Sequence, residues 1–198
     1  KDESPIIDTV QQVGMSLKTV YLIAVLAMVI FFTSTVSLPL VLHERYYSEE
    51  EVGILLAFIS MVAVITAHFL PRMTGKLGEQ NTLLVAFIGL GISYVCFIQP
   101  NYFVSWVGAV ASGIGFGFSI PLLNHMTVER SPLAVRGRNL SYFTMAVFSG
   151  QFLTSFVEYI PGALTNVYIL NVAACVIIVL ALFFTGKKGV ASNGAEAQ

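Results

Sequence analysis

Six long apolar runs, separated by short polar or charged segments, follow one another along almost the whole chain. Each run is close to the roughly 20 residues that a helix needs to cross a bilayer. The runs do not alternate polar and apolar residues, as the strands of a membrane barrel do, so they predict six transmembrane helices. The predicted helices lie at about 17–42, 52–70, 82–98, 102–126, 140–160 and 167–184.

The composition agrees with a membrane protein and excludes two other classes. Hydrophobic residues make up 56% of the 198 residues and charged residues 11%, whereas soluble domains have about 25% charged residues. A soluble domain of this length cannot bury so much apolar surface, which excludes a large soluble enzyme domain. A formal net charge of -1, with no basic face, excludes a nucleic-acid binder.

The basic residues predict the orientation of the bundle. If the chain crosses six times, nine of the ten Lys and Arg residues fall on one side, and only Arg45 lies on the other. The positive-inside rule therefore places both termini in the cytoplasm. The opposite side carries acidic residues and an aromatic belt: Glu44, Glu49, Glu50, Glu51, Tyr46, Tyr47, Tyr102, Trp106, Tyr159 and Tyr168.

The predicted organisation has three parts. Residues 1–16 form a cytoplasmic N-terminal segment with a weak amphipathic stripe, residues 17–186 the six-helix bundle, and residues 187–198 a small, polar cytoplasmic tail. The chain begins with Lys1, so we expect either that a leading segment was removed or that this is part of a longer polypeptide.

Small residues recur at the spacing that lets helix backbones approach closely. Gly113 and Gly117 have this four-residue spacing, as do Ala146 and Gly150. Two interpretations of the glycine-rich helix remain open at this point. It either packs tightly against its neighbours or, together with Pro121, also bends during gating.

Two groups of polar residues lie within the apolar runs. Thr144, Gln151 and Ser155 share one helical face, which predicts contact with another helix or with a water-filled cavity. The hydroxyl cluster at 33–37 either bonds back to the carbonyls of its own helix or forms part of a polar cavity wall.

Few residues offer other chemistry. Glu158 is the one acid inside a predicted helix, and it is either a proton site or an interfacial residue. His68 and His125 alone make a poor metal set, and Cys96 and Cys175 sit in apolar runs, so we expect no metal and no cofactor. The H-E-x-x-H, G-x-S-x-G and P-loop motifs are absent from the sequence, so we expect no enzyme activity.

Several short motifs resemble the C-terminal six-helix half of a major facilitator superfamily transporter, and in particular of bacterial drug and solute efflux members. Residues 75–80 resemble the family's loop pattern acid-basic-x-Gly-basic-basic. Lys76 and Gly78 fit that pattern, whereas Gly75 replaces the acid, and Glu79 and Gln80 replace basic residues. The other resemblances are Glu129-Arg130 followed by Arg136-Gly137-Arg138, Gly150-Gln151-Phe152, and the glycines at 113–117 with Pro121.

This resemblance implies secondary active transport by alternating access, as proton-coupled export of a small organic solute or drug. The implied partners are the solute, the lipid bilayer and an N-terminal six-helix half, in the bacterial cytoplasmic (inner) membrane. The coupling acid is expected in that other half, with Glu158 as the candidate proton site in this chain. The implied cavity residues are Thr35, Phe58, Phe116, Gln151 and Ser155, and the implied gating residues are Arg72, Lys76, Arg130, Arg136 and Arg138.

Two alternatives to this function remain open from the sequence. The chain could be a half-size transporter that acts as a homodimer, in which a two-fold axis rebuilds twelve helices. It could instead be a non-transporting membrane scaffold that binds a partner.

Overall fold

The structure, a computed structural model, describes residues 15–157 and 164–195, with the backbone alone for 186–195. All of its regular elements within those residues are helical, which confirms the predicted all-α class. The predicted N-terminal segment up to residue 14, the end of the fifth apolar run and residues 196–198 lie outside the described residues. The helices are α1 (Leu17–Glu44), α2 (Glu49–Ile98), α3 (Tyr102–Glu129), α4 (Arg136–Val157) and α5 (Leu164–Ala195), with a short 3-10 turn (Leu133–Val135) before α4.

Polar side chains fix where the first three helices begin. The Ser16 hydroxyl accepts from the backbone N–H of Thr19 at 3.3 Å. Ser48 and Glu51 form a reciprocal capping box at the start of α2, and Asn101 accepts from the N–H of Phe103 at 3.0 Å. Such caps satisfy backbone donors that the first helical turn leaves free, so each apolar run has a defined starting residue.

The longest helix, α2, consists of two helical segments that meet at Gly78. A straight helix of its 50 residues would measure about 75 Å, far more than the roughly 30 Å core of a bilayer. Gly78 has φ 79° and ψ 164°, a non-helical conformation that a residue without a Cβ adopts readily. The second and third apolar runs therefore become residues 49–77 (α2a) and residues 79–98 (α2b).

The glycines of α3 bring its backbone close to both segments of α2. A Cβ on Gly113 would lie 2.6 Å from the Cβ of Val62 on α2a. A Cβ on Gly115 would lie 2.8 Å from the carbonyl oxygen of Ala86 on α2b. The close approach predicted from the glycine spacing is thus confirmed, and α3 lies between α2a and α2b.

Contacts among α2a, α2b and α3 show that the chain reverses direction from α2a to α2b and again from α2b to α3. Positions 113 and 117 of α3 meet positions 62 and 63 of α2a in increasing order, so these two segments are parallel. Positions 108 and 115 of α3 meet 97 and 90 of α2b in decreasing order, so that pair is antiparallel. The turn at Gly78 consequently reverses the chain within one residue.

The bundle has two ends that differ in their side chains. At one end, called the basic end, Glu79 beside the Gly78 turn meets Arg130 after α3, and Gln80 donates to the carbonyl of Leu182 on α5. At the other, called the aromatic end, the rings of Tyr47 and Tyr102 stack with centroids 5.7 Å apart. There Arg45 donates to the carbonyls of Ile98 and Gln99, each at 2.9 Å.

Helix α1 holds α4, α5 and α2b together. A Cβ on Gly150 of α4 would lie 2.7 Å from the Cβ of Met28, so these two helices touch closely. The hydroxyl of Tyr94 on α2b donates to the carbonyl of Ile30, and the hydroxyl oxygens of Ser37 and of Tyr168 on α5 lie 3.3 Å apart, within hydrogen-bond distance. Tyr94 and Tyr168 are both almost completely buried.

Five helices in the described part of the chain are long and apolar enough to cross a membrane, with α2 counted once. The turn at Gly78 is compatible with two crossings by α2. The number of crossings, the side on which the termini lie and the three-part division of the chain stay predictions.

We expect the close packing of α3 to make Gly117 sensitive to the smallest substitution. In Gly117→Ala the new Cβ meets the carbonyl oxygen of Ala63 and the Cβ of Thr66, and backbone atoms yield little. We expect a loss of about 1–3 kcal/mol in the free energy of unfolding, typical of overpacking.

The matched control is Gly137→Ala in the first turn of α4, where a Cβ would have no atom within 4 Å. It should change the free energy of unfolding by less than about 1 kcal/mol. The measurement is thermal unfolding in one detergent, followed by Trp106 fluorescence. Equal shifts in Tm for the two variants would contradict the packing described here.

Candidate functional site

The hydroxyl cluster on α1 bonds mainly to its own helix. Thr33 donates to the carbonyl of Val29 at 2.7 Å, and Ser37 donates to the carbonyl of Thr33. Thr35 donates to the carbonyl of Phe31 at 3.0 Å and is half-buried. Of the two interpretations open from the sequence, back-bonding therefore holds for these three residues, and a hydroxyl that donates, as that of Thr35 does, still has acceptor lone pairs.

Phe116, a predicted cavity residue, stacks on Phe31 across the interface between α1 and α3. The two ring centroids are 3.9 Å apart and the planes are 14° from parallel. Both rings are half-buried. Phe31 is one turn from Thr35 on α1, so these three residues form a continuous patch with two aromatic faces and one hydroxyl.

Phe58 lies at a different level of the bundle. Its ring makes an edge contact with Trp106 of α3, with centroids 5.1 Å apart. Trp106 is ten residues before Phe116, or about 15 Å along the helix axis. The structure therefore places Phe58 near the aromatic end and does not bring it to the Phe31–Phe116 patch.

The predicted polar stripe on α4 lies away from α1. The buried face of α4 consists of Phe143, Ala146, Gly150 and Thr154, which pack towards α1. Gln151 is half-buried and Ser155 exposed. Within the described part of the chain neither side chain makes a hydrogen bond, so the donors and acceptors of both are unused there.

Among the predicted gating residues, one joins an ion pair. Arg130 donates to the carboxylate of Glu79, and the exposed fractions of the two side chains are 16% and 31%. Glu79 occupies a position at which the family's loop pattern carries a basic residue, and here its acid pairs with Arg130. The pair could not be read from the sequence, because its residues are 51 positions apart.

The other gating residues lie apart from this pair. Arg72 lies over the ring of Phe69, 5.5 Å from its centroid. Lys76 and Arg138 are exposed. Arg136 is half-buried, and its Nε has no hydrogen-bond partner among the described residues. Among the described residues of the basic end, Arg130 is therefore held by an ion pair, Arg136 is half-buried, and Arg72, Lys76 and Arg138 are exposed.

The two histidines considered as a pair have different surroundings. The ring of His68 lies against Phe69, with centroids 5.4 Å apart. The Nδ1 of His125 lies 3.3 Å from a carboxylate oxygen of Glu129. Glu158, the candidate proton site, lies outside the described residues.

A cavity of about 560 Å³ lies between α1 and α5 near the basic end. Its wall is apolar at Leu22, Leu26 and Ile178, and polar at Thr19 and Gln80. None of the predicted substrate residues in the described part of the chain lines it. It is therefore separate from the Phe31–Phe116 patch.

Comparison with known sequences identifies the class of protein. Residues 6–155, about three quarters of the chain, match the sequence model of the Major Facilitator Superfamily. The chain belongs to this family, whose members are transporters, and it is a membrane protein of the transporter class.

The curated relatives it matches are quinolone resistance proteins. The Quinolone resistance protein NorA of Staphylococcus aureus is 23% identical over 114 residues, in strain Mu50 / ATCC 700699 as in strain N315. These residues are 57% of this chain and 29% of the relative. The chain therefore spans about half the length of the curated relatives it matches.

We expect the Glu79–Arg130 contact to behave as a coupled pair. Glu79→Gln and Arg130→Gln each leave a partly buried charge without its partner, which lowers the free energy of unfolding. The double variant should lose less than the sum of the two, with a coupling energy of about 1 kcal/mol. The measurement is unfolding by SDS in mixed micelles.

Arg72→Gln combined with Glu79→Gln provides the comparison, since Arg72 contacts Phe69 and not Glu79. These two substitutions should be additive. Additivity in the Glu79–Arg130 cycle as well would mean that the ion pair does not link the segments.

Proposed function

We propose that this chain is the C-terminal six-helix half of a secondary active transporter that exports small organic solutes by alternating access. In this proposal α2 crosses the membrane twice, both termini are cytoplasmic, and the basic end faces the cytoplasm of a bacterial cell. Membership of the Major Facilitator Superfamily and the similarity to the Quinolone resistance protein NorA support transport and efflux.

The exposed surface of α4 supports the proposal that a second six-helix body lies beside it. Its face away from α1 exposes Met145, Phe148, Phe152 and Phe156, each by 60–65%. Gln151 lies beside this apolar face and is half-buried. A lipid-facing helix has no need of an amide there, whereas a helix that borders both a cavity and another protein surface does.

The substrate class follows from the chemistry of the proposed cavity wall. The Phe31–Phe116 patch offers aromatic faces with one hydroxyl, and Gln151 and Ser155 add neutral hydrogen-bonding groups. Among the five proposed substrate residues none is charged, which favours neutral or weakly polar aromatic solutes. The printed name of the relatives makes a quinolone a reasonable first probe.

The basic end is the proposed inner gate. In this proposal Arg72, Lys76, Arg136 and Arg138 form the cytoplasmic mouth, and the Arg130–Glu79 pair, which joins the end of α3 to α2b, supports it. Proton coupling would reside at Glu158 or at an acid of the partner half.

A Gln151→Ala substitution is expected to impair transport without affecting expression. Loss of one hydrogen bond to the solute should lower the initial rate about five- to tenfold. The assay uses inverted membrane vesicles that contain the native polypeptide, a proton gradient and a fluorescent quinolone.

The matched control is Gln99→Ala, because the Gln99 side chain is exposed at the aromatic end and Arg45 uses only its backbone carbonyl. This variant should transport at the wild-type rate. Unchanged transport kinetics for Gln151→Ala would remove Gln151 from the cavity.

The apolar face of α4 is expected to contact protein in the membrane. A photoactivatable crosslinker on Phe152→Cys should capture peptides from another six-helix body, either in the same longer polypeptide or in a second copy. The same reagent on Ile177→Cys, an α5 position with the same 65% exposure as Phe152, should capture lipid.

Both variants are made with Cys96 and Cys175 replaced by alanine, and crosslinked peptides are identified by mass spectrometry. Peptides from the N-terminal half of a longer chain support the fused arrangement, and peptides of this chain from a neighbouring copy support the homodimer. Protein crosslinks that are absent at both positions, or equal at both, contradict the proposal.

A further inference from the structure

Three metal-ligating side chains meet at the basic end, outside the proposed cavity. They are Glu79, the first residue of α2b, and His125 and Glu129 near the end of α3. One donor atom from each lies within 4.8 Å of the other two. The Nδ1 of His125 lies 3.3 Å from a carboxylate oxygen of Glu129.

These separations are close to those that a small divalent cation requires. Metal–ligand distances of about 2.0–2.2 Å in a tetrahedral zinc site place neighbouring donor atoms roughly 3.4 Å apart. The His125–Glu129 pair already has that spacing. A rotamer adjustment of the Glu79 carboxylate would bring the third donor into the same shell.

The backbone holds the three donors in place. His125 and Glu129 are four residues apart and therefore lie on the same face of α3. Gly78 turns the chain so that Glu79 begins α2b directly beside that face, and the glycine packing of α3 fixes the two helices against each other. The donors thus come from two rigid elements and not from a loop.

The site is open to water and attracts a cation. The side chains of His125 and Glu129 are 55% and 58% exposed. With His125 neutral, the two carboxylates and the Arg130 guanidinium sum to a formal charge of -1. A nitrogen ligand with two carboxylate oxygens suits zinc and related transition metals better than calcium or magnesium, which prefer oxygen alone.

Arg130 would compete with a bound metal ion for the Glu79 carboxylate. Its guanidinium bonds one oxygen of the Glu79 carboxylate, which is also a ligand of the cluster. A bound metal ion and Arg130 would therefore compete for the same carboxylate. Either one links the start of α2b to the end of α3.

We propose that Glu79, His125 and Glu129 bind a divalent transition-metal ion of the zinc type, with water completing its shell, and that the ion displaces Arg130 from Glu79. The bound ion replaces an ion pair with coordination bonds between the same two helices. It thereby holds the basic end in the arrangement described above. Binding does not depend on transport.

The test uses the purified full chain in detergent, titrated with Co²⁺ as a spectroscopic probe and then with Zn²⁺ as competitor. We expect one Co²⁺ per chain, with visible absorption typical of nitrogen and oxygen ligation, and displacement by Zn²⁺. His125→Ala, Glu79→Gln and Glu129→Gln should each weaken binding at least about tenfold. Circular dichroism and gel filtration establish that each variant is folded.

Two further variants separate this site from unspecific binding. His43→Ala combined with His68→Ala removes the other two histidines of the chain and should leave the affinity unchanged. Arg130→Gln should tighten binding, because the competitor for Glu79 is gone. A merely structural role for the cluster predicts no such gain.

Several results would overturn the proposal. They are the absence of a spectral change with Co²⁺ in excess, binding that survives His125→Ala, and binding that is lost with His43 and His68. If Arg130→Gln binds Co²⁺ with unchanged or weaker affinity, the proposal that the ion displaces Arg130 from Glu79 is wrong.

Discussion

The close approach of α3 to both segments of α2 is the contact on which the rest of the bundle depends. In a bilayer, apolar side chains gain little by leaving lipid for one another, so helices associate through dispersion contacts and hydrogen bonds. Gly113, Gly115 and Gly117 present backbone to α2a and α2b and leave no room for a Cβ. Without this contact Glu79 would not face α3, and Phe116 would not be held at the level of Phe31. The Phe31–Phe116 stack and the Glu79–Arg130 pair both depend on the small residues that let α3 approach α2a and α2b.

A second set of interactions gathers on the backbone of α1. Carbonyls of three consecutive residues, Val29, Ile30 and Phe31, accept from hydroxyls, those of Thr33, Tyr94 and Thr35. A hydroxyl in a hydrocarbon core finds no water to bond, so most of these groups bond to the protein, although the buried Ser34 hydroxyl has no partner among the described residues. The Ile30 carbonyl therefore anchors α2b through Tyr94, and the Ser37 hydroxyl lies within hydrogen-bond distance of Tyr168 on α5. A short stretch of α1 thus holds two neighbouring segments.

The elements of the fold could be predicted because each follows from a local pattern. Apolar runs located the helices, and the four-residue spacing of Gly113 and Gly117 located a close contact. The aromatic stack of Phe31 on Phe116 could not be predicted, since α1 carries two adjacent phenylalanines, Phe31 and Phe32, and the sequence does not show which of them meets α3. The Glu79–Arg130 pair could not be predicted for a different reason. Glu79 departs from a loop motif, and its partner Arg130 lies 51 positions later, directly after α3. Sequence periodicity specifies which face of a helix is apolar but not which helix lies against it.

The turn at Gly78 has a mechanical consequence. A single non-helical residue joins two antiparallel segments, so the joint contains no slack. A loop of several residues would let α2a and α2b slide independently along α3. Here an axial shift of one segment must pull or push the other, and both rest on the same glycine surface. A tilt of either segment would therefore be transmitted to the other and to α3, and the Glu79–Arg130 pair lies beside the joint between them.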